Sequence, residues 1–243
     1  IGFSGGVDSA YLACVALELH AHPDADLIYS DEDKIDENGD RYDHYFKPDW
    51  NPDLFNVQNY ISHLGVYRTL LVRDVGGFRV GYEGSQDWDL AMRVIERTAP
   101  DRIRHIPRIL YHWRSVPGST AMLIGEKPFA AVAAEKVITE HFIRTGVEAT
   151  ISPTKGSYWR VYYPVPDPAP RVTLVIPTRN RLDVLRPCVE SLLAKTTYPN
   201  FELLIVDNDS DDAETLAYLK EISSTTGTSA GGSTSQPSRQ PTI

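Results

Sequence analysis

Four prolines fall within seven positions, at Pro164, Pro166, Pro168 and Pro170. Each fixes its own φ, lacks a backbone N–H and cannot sit inside a helix or a central strand. The segment from Tyr163 to Pro170 is therefore an extended connection, and the 243-residue chain is read as two blocks joined there. The boundaries are 1–165 for the first block, 166–222 for the second, and 223–243 for a tail. From Ser223 on, the tail is mostly Ser, Thr, Gly, Pro and Gln, with Arg239 its only charge and Ile243 its only large apolar residue. A segment with so little to bury is expected to be disordered.

The second block is the more regular one. Val172-Thr173-Leu174-Val175-Ile176 is rich in β-formers, and Leu182, Leu185, Val189 and Leu192 then recur on one helical stripe. Phe201-Glu202-Leu203-Leu204-Ile205-Val206 follows as a second strand. This spacing predicts a βαβ unit. The strands lack clear alternation, as expected of a parallel sheet covered on both faces, where ligands bind at the carboxyl ends of the strands. That edge carries Pro177-Thr178-Arg179-Asn180 and Asp207-Asn208-Asp209-Ser210.

In the first block, Ala25-Asp26-Leu27-Ile28-Tyr29 reads as a short buried strand that empties into the acidic run Ser30-Asp31-Glu32-Asp33. Asn38-Gly39 marks a tight turn, since both residues tolerate positive φ. A helix is expected after Ser85, with Leu90, Val94 and Ile95 on one face. A longer one runs from about Pro128 to Arg144, closed by Gly146.

Lys and Arg number 24 against 33 Asp and Glu, and the net charge of −9 disfavours nucleic acid or an anionic membrane as a general partner. Two cysteines, Cys14 and Cys188, give neither a disulfide framework nor a Cys-rich zinc site, so a reducing compartment is the simpler reading, with a single bridge left open. The sequence has no apolar run of about 18 residues and no secretory leader pattern, so no transmembrane segment is expected and the reading is cytoplasmic, extending to the inner face of the membrane. The chain opens at Ile1 and enters a strand-turn-helix pattern at once, which reads as an excerpt or a fusion.

Leu174-Val175-Ile176-Pro177-Thr178-Arg179-Asn180-Arg181, with Val206-Asp207-Asn208-Asp209-Ser210 some 30 residues on, resembles the opening of a family 2 glycosyltransferase of the GT-A fold. The resemblance implies that Pro177, Thr178, Asn180 and Asp207 bind the base and ribose of a nucleotide. A carboxylate can accept hydrogen bonds from such groups. Five motifs of the first block follow the order seen in tandem-domain transferases of bacterial surface-polysaccharide synthesis. They are His22 to Lys34, Phe46 to Pro52, Gly76-Gly77-Phe78, Gly84-Ser85-Gln86-Asp87-Trp88-Asp89-Leu90, and Tyr111-His112-Trp113-Arg114. The implied fold class is α/β, a GT-A (Rossmann-like) fragment in which the acceptor half of one domain precedes the nucleotide-binding βαβ half of a second.

The implied activity is inverting transfer of a sugar from a nucleoside-diphosphate-sugar donor to a glycan or lipid-linked glycan acceptor in O-antigen-like polysaccharide synthesis. On this reading Asp87 is the catalytic base, suited by its place at a helix start. Gly76, Gly77, Gln86, Trp88, Trp113 and Arg114 are expected to bind substrate, Trp88 as a stacking surface and Arg114 as a fork on phosphate. His112 is the expected metal or phosphate ligand, and Asp31 and Asp33, with D-x-D spacing, are candidate ligands of Mg²⁺ or Mn²⁺. Each has a plainer reading. Ser85 and Asp87 suit a helix N-terminus, Gly76-Gly77 a helix C-cap, His112 a core histidine, the acidic run a solvated strand end, and Asp207-Asn208 a turn.

The family's own D-x-D is expected near Phe3 to Gly6, where this chain has Phe3-Ser4-Gly5-Gly6-Val7-Asp8-Ser9 instead. That run resembles the phosphate loop of the PP-loop ATP pyrophosphatases, whose glycines let backbone N–H groups cradle phosphate. An ATP-using enzyme is therefore one alternative, and a noncatalytic sugar- or protein-binding remnant another. A lone βαβ unit leaves apolar sheet faces uncovered, so association through such faces is a further expectation.

Overall fold

The computed structural model describes residues 9–115, 128–154, 158–225 and 240–242. The Ser4-Gly5-Gly6-Val7-Asp8 run lies outside the described residues. The chain divides into two compact units between Pro164 and Val165, inside the proline-rich connection.

The first unit opens with helix α1 (Ser9–Ala21) and strand β1 (Leu27–Ile35). Strand β2 (Arg41–Tyr45), short helix α2 (Pro52–Phe55), strand β3 (Gly65–Tyr67) and helices α3 (Thr69–Asp74) and α4 (Gln86–Ile95) follow. Strand β4 (Ile103–Arg114), helix α5 (Pro128–Thr145) and the hairpin β5 (Thr150–Pro153) and β6 (Trp159–Tyr162) complete it. β1 is the spine of the sheet. β4 runs parallel to it along its whole length, while β3 pairs antiparallel with its first half and β2 with its second.

The alternation of β1 sorts the core into two layers. Leu27 and Tyr29 join Phe55, Tyr60, Ile61, Trp88, Met92, Val94, Val137 and Ile138, a cluster fed by α4 and α5. Ile28 points the other way and packs with Val15, Ile106 and Leu110, with Tyr11 and Cys14 of α1 beside them. The sheet thus has α1 on one face and α4 with α5 on the other.

Several expected elements are present, with two departures in this unit. The strand predicted at Ala25–Tyr29 does not end at the acidic run but continues through Asp31, Glu32 and Asp33 to Ile35, and all three carboxylates are buried. Partners satisfy the carboxylates: the Lys47 backbone N–H and His105 serve Asp31, the buried Lys47 ammonium serves Glu32, and the half-exposed Arg41 serves Asp33. The turn at Asn38-Gly39 is wider than a two-residue hairpin, closed by the Asp36 carboxylate accepting from the N–H groups of Asn38 and Asp40 at 2.9 Å. Gly146, at φ +69°, closes α5 as expected.

The second unit contains strand β7 (Val172–Thr178), helix α6 (Leu182–Lys195), strand β8 (Phe201–Asp207), helix α7 (Ala213–Thr225) and strand β9 (Gln240–Thr242), the three strands parallel in the order β7-β8-β9. Both helices cover the same face, where Leu185, Val189, Tyr218 and Leu219 enclose Leu203 and Ile205. The opposite face exposes Val175 and Val206 at 58% and 46%, so among the described residues of this unit the expected double coverage is not formed. A sheet with helices on one side alternates, as β7 and β8 do. The edge of β8 away from β7 offers unpaired backbone groups, and Gln240–Thr242 pairs along it, Leu203 opposite Pro241. Residues 226–239 and 243 lie outside the described residues. Cys14 and Cys188 are both free thiols.

Candidate functional site

Helix α4 carries Asp87 and Asp89 in its first turn. Residues two apart on a helix point roughly 200° from one another, so the two carboxylates meet different surroundings. Asp89 is fully buried and accepts from Arg79 and from Arg93, the latter at 2.6 Å through Nη2. Burial alone would raise its pKa, but the bonds from Arg79 and Arg93 outweigh it and hold the carboxyl below the usual range. Asp87 has no such cation. Its Oδ2 accepts one bond from Asn59 Nδ2, at 2.9 Å. Burial pushes its pKa up, against the backbone N–H of Trp88 and the charge of His63. Asp87 is a partly desolvated carboxylate without an ion-pair partner among the described residues, the state that gives a carboxylate affinity for a proton.

His63 joins this place to the sheet. Its ring stacks on Tyr111 at 4.9 Å and 13°, and lies tilted on Trp113 at 4.9 Å and 41°. Its Nδ1 meets Glu32 Oε2 at 3.2 Å. Buried Lys47 donates to Glu32 at 3.1 Å, to the Ile61 carbonyl at 3.3 Å and to the His63 carbonyl. Burial would raise the pKa of Glu32, yet the His63 bond and the Lys47 charge keep the carboxyl below its ordinary value. Tyr67 also stands near, its phenol pushed up by burial and by the Asp87 charge.

Successive residues of a strand face opposite ways, and β4 obeys this rule across Tyr111, His112 and Trp113. Tyr111 and Trp113 face His63, on the α4 side. His112 faces α1, where Nε2 meets the Tyr11 hydroxyl and Nδ1 meets Asp33. The structure therefore does not bring His112 to Asp87. Nor does it assemble the expected cation ligands: Asp31 Oδ1 accepts from the Lys47 N–H and meets His105 Nε2, both at 2.9 Å, while Asp33 is taken by Arg41 and His112. Among the described residues no group of three or more His, Cys, Asp or Glu is arranged to hold a metal ion, so Asp31, Asp33 and His112 do not fit one as they stand.

The other expected substrate contacts meet different surroundings. Trp88 is 4% exposed, its Nε1 donating to the Phe55 carbonyl at 3.2 Å, so it is a core residue and not a stacking surface. Gly76 and Gly77, at φ +83° and +68°, cap α3: the Gly77 N–H donates to the Val72 carbonyl at 2.9 Å, and Arg93 Nη2 donates to the Gly77 carbonyl at 2.6 Å. A Cβ on either glycine would meet no atom within 4 Å, so positive φ and not close packing calls for glycine there. Gln86 accepts from the Gly84 N–H at 2.7 Å and lines a surface depression of about 420 Å³ with Phe78, Arg79, Val80, Glu83 and Gly84. Arg114 is exposed at the end of β4.

In the second unit the expected residues gather at the carboxyl edge of β7 and β8, where Thr178 lies opposite Asp207. Asn180, at φ +54°, accepts through Oδ1 from the N–H groups of Asp211 and Asp212 at 3.0 Å and donates through Nδ2 to Asp211 at 2.7 Å. Its side chain ties the two loops together. The Ser210 hydroxyl bridges this tie, donating to Asp207 and accepting from the Asn180 N–H at 2.7 Å. Asp207 remains exposed, and Pro177 lies within β7 opposite Val206, one residue before the strand ends at Thr178.

Residues 173–229, which hold this edge, match glycosyl transferase family 2. This segment match and the relatives that follow support a family 2 glycosyltransferase. Its mixed α/β structure, with parallel strands in both units, fits a GT-A-type fold. The chain is 48% identical over 219 residues to the uncharacterized protein y4gI of Sinorhizobium fredii, which covers 89% of this chain and 24% of that protein. It is 39% identical over 224 residues to the O-antigen biosynthesis protein RfbC of Myxococcus xanthus, 91% of this chain and 17% of that one. The chain thus spans about a quarter or less of these relatives. Neither the ATP-using nor the noncatalytic alternative is favoured by these matches.

Asn59, His63, Glu32, Lys47 and Tyr67 were not singled out from sequence. Glu32 could not be placed by strand alternation, because the register of β1 against β4 shifts at Ser30/Asp31 and again at Asp31/Glu32, which turns Glu32 to the side of Tyr111 and His63. Asn59 and His63 sit in an irregular stretch with no period to read.

Proposed function

We propose that this chain takes part in inverting sugar transfer from a nucleoside-diphosphate-sugar to a glycan acceptor during surface-polysaccharide synthesis, the process named for its relative RfbC. The observation that carries this reading is the family 2 segment, whose Thr178, Asn180 and Asp207 meet at the carboxyl edge of parallel strands. Such an edge is where α/β sheets bind nucleotides. Asp207 would take the ribose or base, while Asn180 sets the loop that presents it. In the first unit Asp87 would be the base. The acceptor hydroxyl's proton passes to Asp87, its oxygen forms the bond to the anomeric carbon from the face opposite the leaving group, and the old C–O bond breaks with its electron pair going to the diphosphate. No step is assigned to Mg²⁺ or Mn²⁺, because Asp31 is taken by the Lys47 N–H and His105, and Asp33 by Arg41 and His112. From their order along the chain, the two units are read as serving different transferase sites, in the cytoplasm where a nucleotide-sugar pool is at hand.

The test is thermal unfolding of the full chain with uridine, thymidine or guanosine diphosphate, or ATP, each with and without Mn²⁺. One nucleoside diphosphate is expected to raise the melting temperature, and Asp207→Ala to cancel the rise while Asp87→Asn leaves it. A rise with ATP alone, or one indifferent to Asp207→Ala, overturns the reading.

A further inference from the structure

The polar atoms left open around Asp87 share one character. Asn59 commits Nδ2 to Asp87, and its Oδ1 is the one buried side-chain oxygen or nitrogen without a partner among the described residues. An orphaned acceptor of this kind is costly, and a ligand, a water or a strain must account for it. His63 tells the same story from the other side. Lys47 keeps Glu32 a carboxylate, and a carboxylate can only accept, so in neutral His63 the proton resides on Nδ1, facing Glu32. Nε2 then carries the lone pair, and among the described residues it makes no hydrogen bond. The imidazole is 29% exposed and cannot turn freely, because Tyr111 and Trp113 hold its plane.

We propose that His63 is a substrate-binding residue beside Asp87, its Nε2 accepting a hydrogen bond from a second hydroxyl of the glycan acceptor. Three acceptors, the Asp87 carboxylate, the Asn59 carbonyl and the His63 lone pair, make a place that selects a ligand rich in donors. A polyhydroxylated ring supplies them, and a carboxylate or phosphate does not. One hydroxyl yields its proton to Asp87 while its neighbour is held by His63, which fixes which oxygen of the sugar is nucleophile. The inference rests on the reading of Asp87 as the acceptor-side base, and adds what that acceptor must present.

The experiment uses the full chain labelled with ¹⁵N-histidine and ¹³C-carboxyl aspartate, the two resonances being assigned by their loss in His63→Phe and Asp87→Asn. Methyl glycosides of glucose, galactose, mannose and rhamnose are added singly. In its neutral form His63 is expected as the Nδ1–H tautomer, and in Glu32→Gln that preference is expected to fall. One glycoside should move the His63 Nε2 and Asp87 carboxyl resonances together, and His63→Phe, which keeps a flat ring on Tyr111, should weaken its binding at least fivefold. An Nε2–H tautomer in the wild-type chain overturns the inference whatever binds. A glycoside that moves Asp87 but not His63, or binds His63→Phe equally well, overturns it and leaves the reading of Asp87 standing. Silence of both residues toward all four glycosides counts against Asp87 as an acceptor-side base and removes the inference with it.

Discussion

On one side of β4, Tyr111 and Trp113 hold His63 within the field of Asp87, and acceptor atoms there lack partners. On the other side, His112 has both ring nitrogens engaged, by Tyr11 of α1 and by Asp33, which Arg41 also holds. The two histidines have the same chemistry, and the β4 residues that hold them apart are neighbours in sequence. A polar group whose bonds are all made within the protein is part of the scaffold, whereas one left with open valence in a partly wet place can still act. The same contrast separates Asp87 from Asp89, two positions apart on α4.

The comparison can be broken by substitution. Asp87→Asn is expected to lower any measured transfer by about 10²–10⁴-fold, the range of a lost general base, while His112→Gln leaves turnover close to wild type. Equal loss in both would erase the distinction between the faces. Asp89→Asn, which leaves Arg93 buried with half its partner gone, is expected to cost about 3 kcal/mol by chemical denaturation, and an unchanged midpoint would show the Arg79-Asp89-Arg93 network to be incidental.

Acid sharpens the comparison between units. Asp26, Glu32, Asp89, Glu96 and Glu140 of the first unit all have lowered pKa values, despite burial that would raise them, because hydrogen bonds and cations outweigh it. A carboxyl lower in the folded than in the unfolded chain stabilises above its unfolded value, near 4, and that contribution is lost as pH falls through its folded one. All four tryptophans, at 50, 88, 113 and 159, lie in the first unit, so their fluorescence reports its unfolding alone. The tryptophan transition is expected to move to lower temperature between pH 5 and pH 3 more than the helical circular dichroism of the whole chain does. Coincident shifts would mean that the buried ion pairs do not set the acid response.

The smallest effect expected has the opposite sign. Asp87 has a raised pKa, so its ionisation favours the unfolded chain once pH exceeds the unfolded value, and the ionised form is the strained one at neutral pH. Asp87→Asn should therefore raise the melting temperature at pH 7 by about 2 °C and lose that gain at pH 3. A lower melting temperature at both pH values would show that Asp87 is held for stability.

Much of the fold was legible in local pattern. Four prolines fixed the division, the stripe Leu182, Leu185, Val189 and Leu192 gave α6, and the carboxyl edge of β7 and β8 followed from the βαβ spacing, because these features need only near neighbours. The D-x-D spacing of Asp31 and Asp33 misled for a physical reason: a carboxylate pair looks the same in sequence whether water, a cation or a buried Lys47 and His105 answers it. Trp88 looked like a sugar platform until α4 turned it toward Phe55.

Sequence by itself determined that this chain has two α/β units, a segment that resembles family 2 glycosyltransferases at the carboxyl edge of two strands, and a carboxylate, Asp87, at a helix start. Only tertiary structure decided which carboxylates are spent and which are open. Pairing depends on partners brought from far along the chain, as Asn59 and His63 are to Asp87 and Tyr11 is to His112. Strand alternation then places consecutive residues of one motif on opposite faces of a sheet, before different partners.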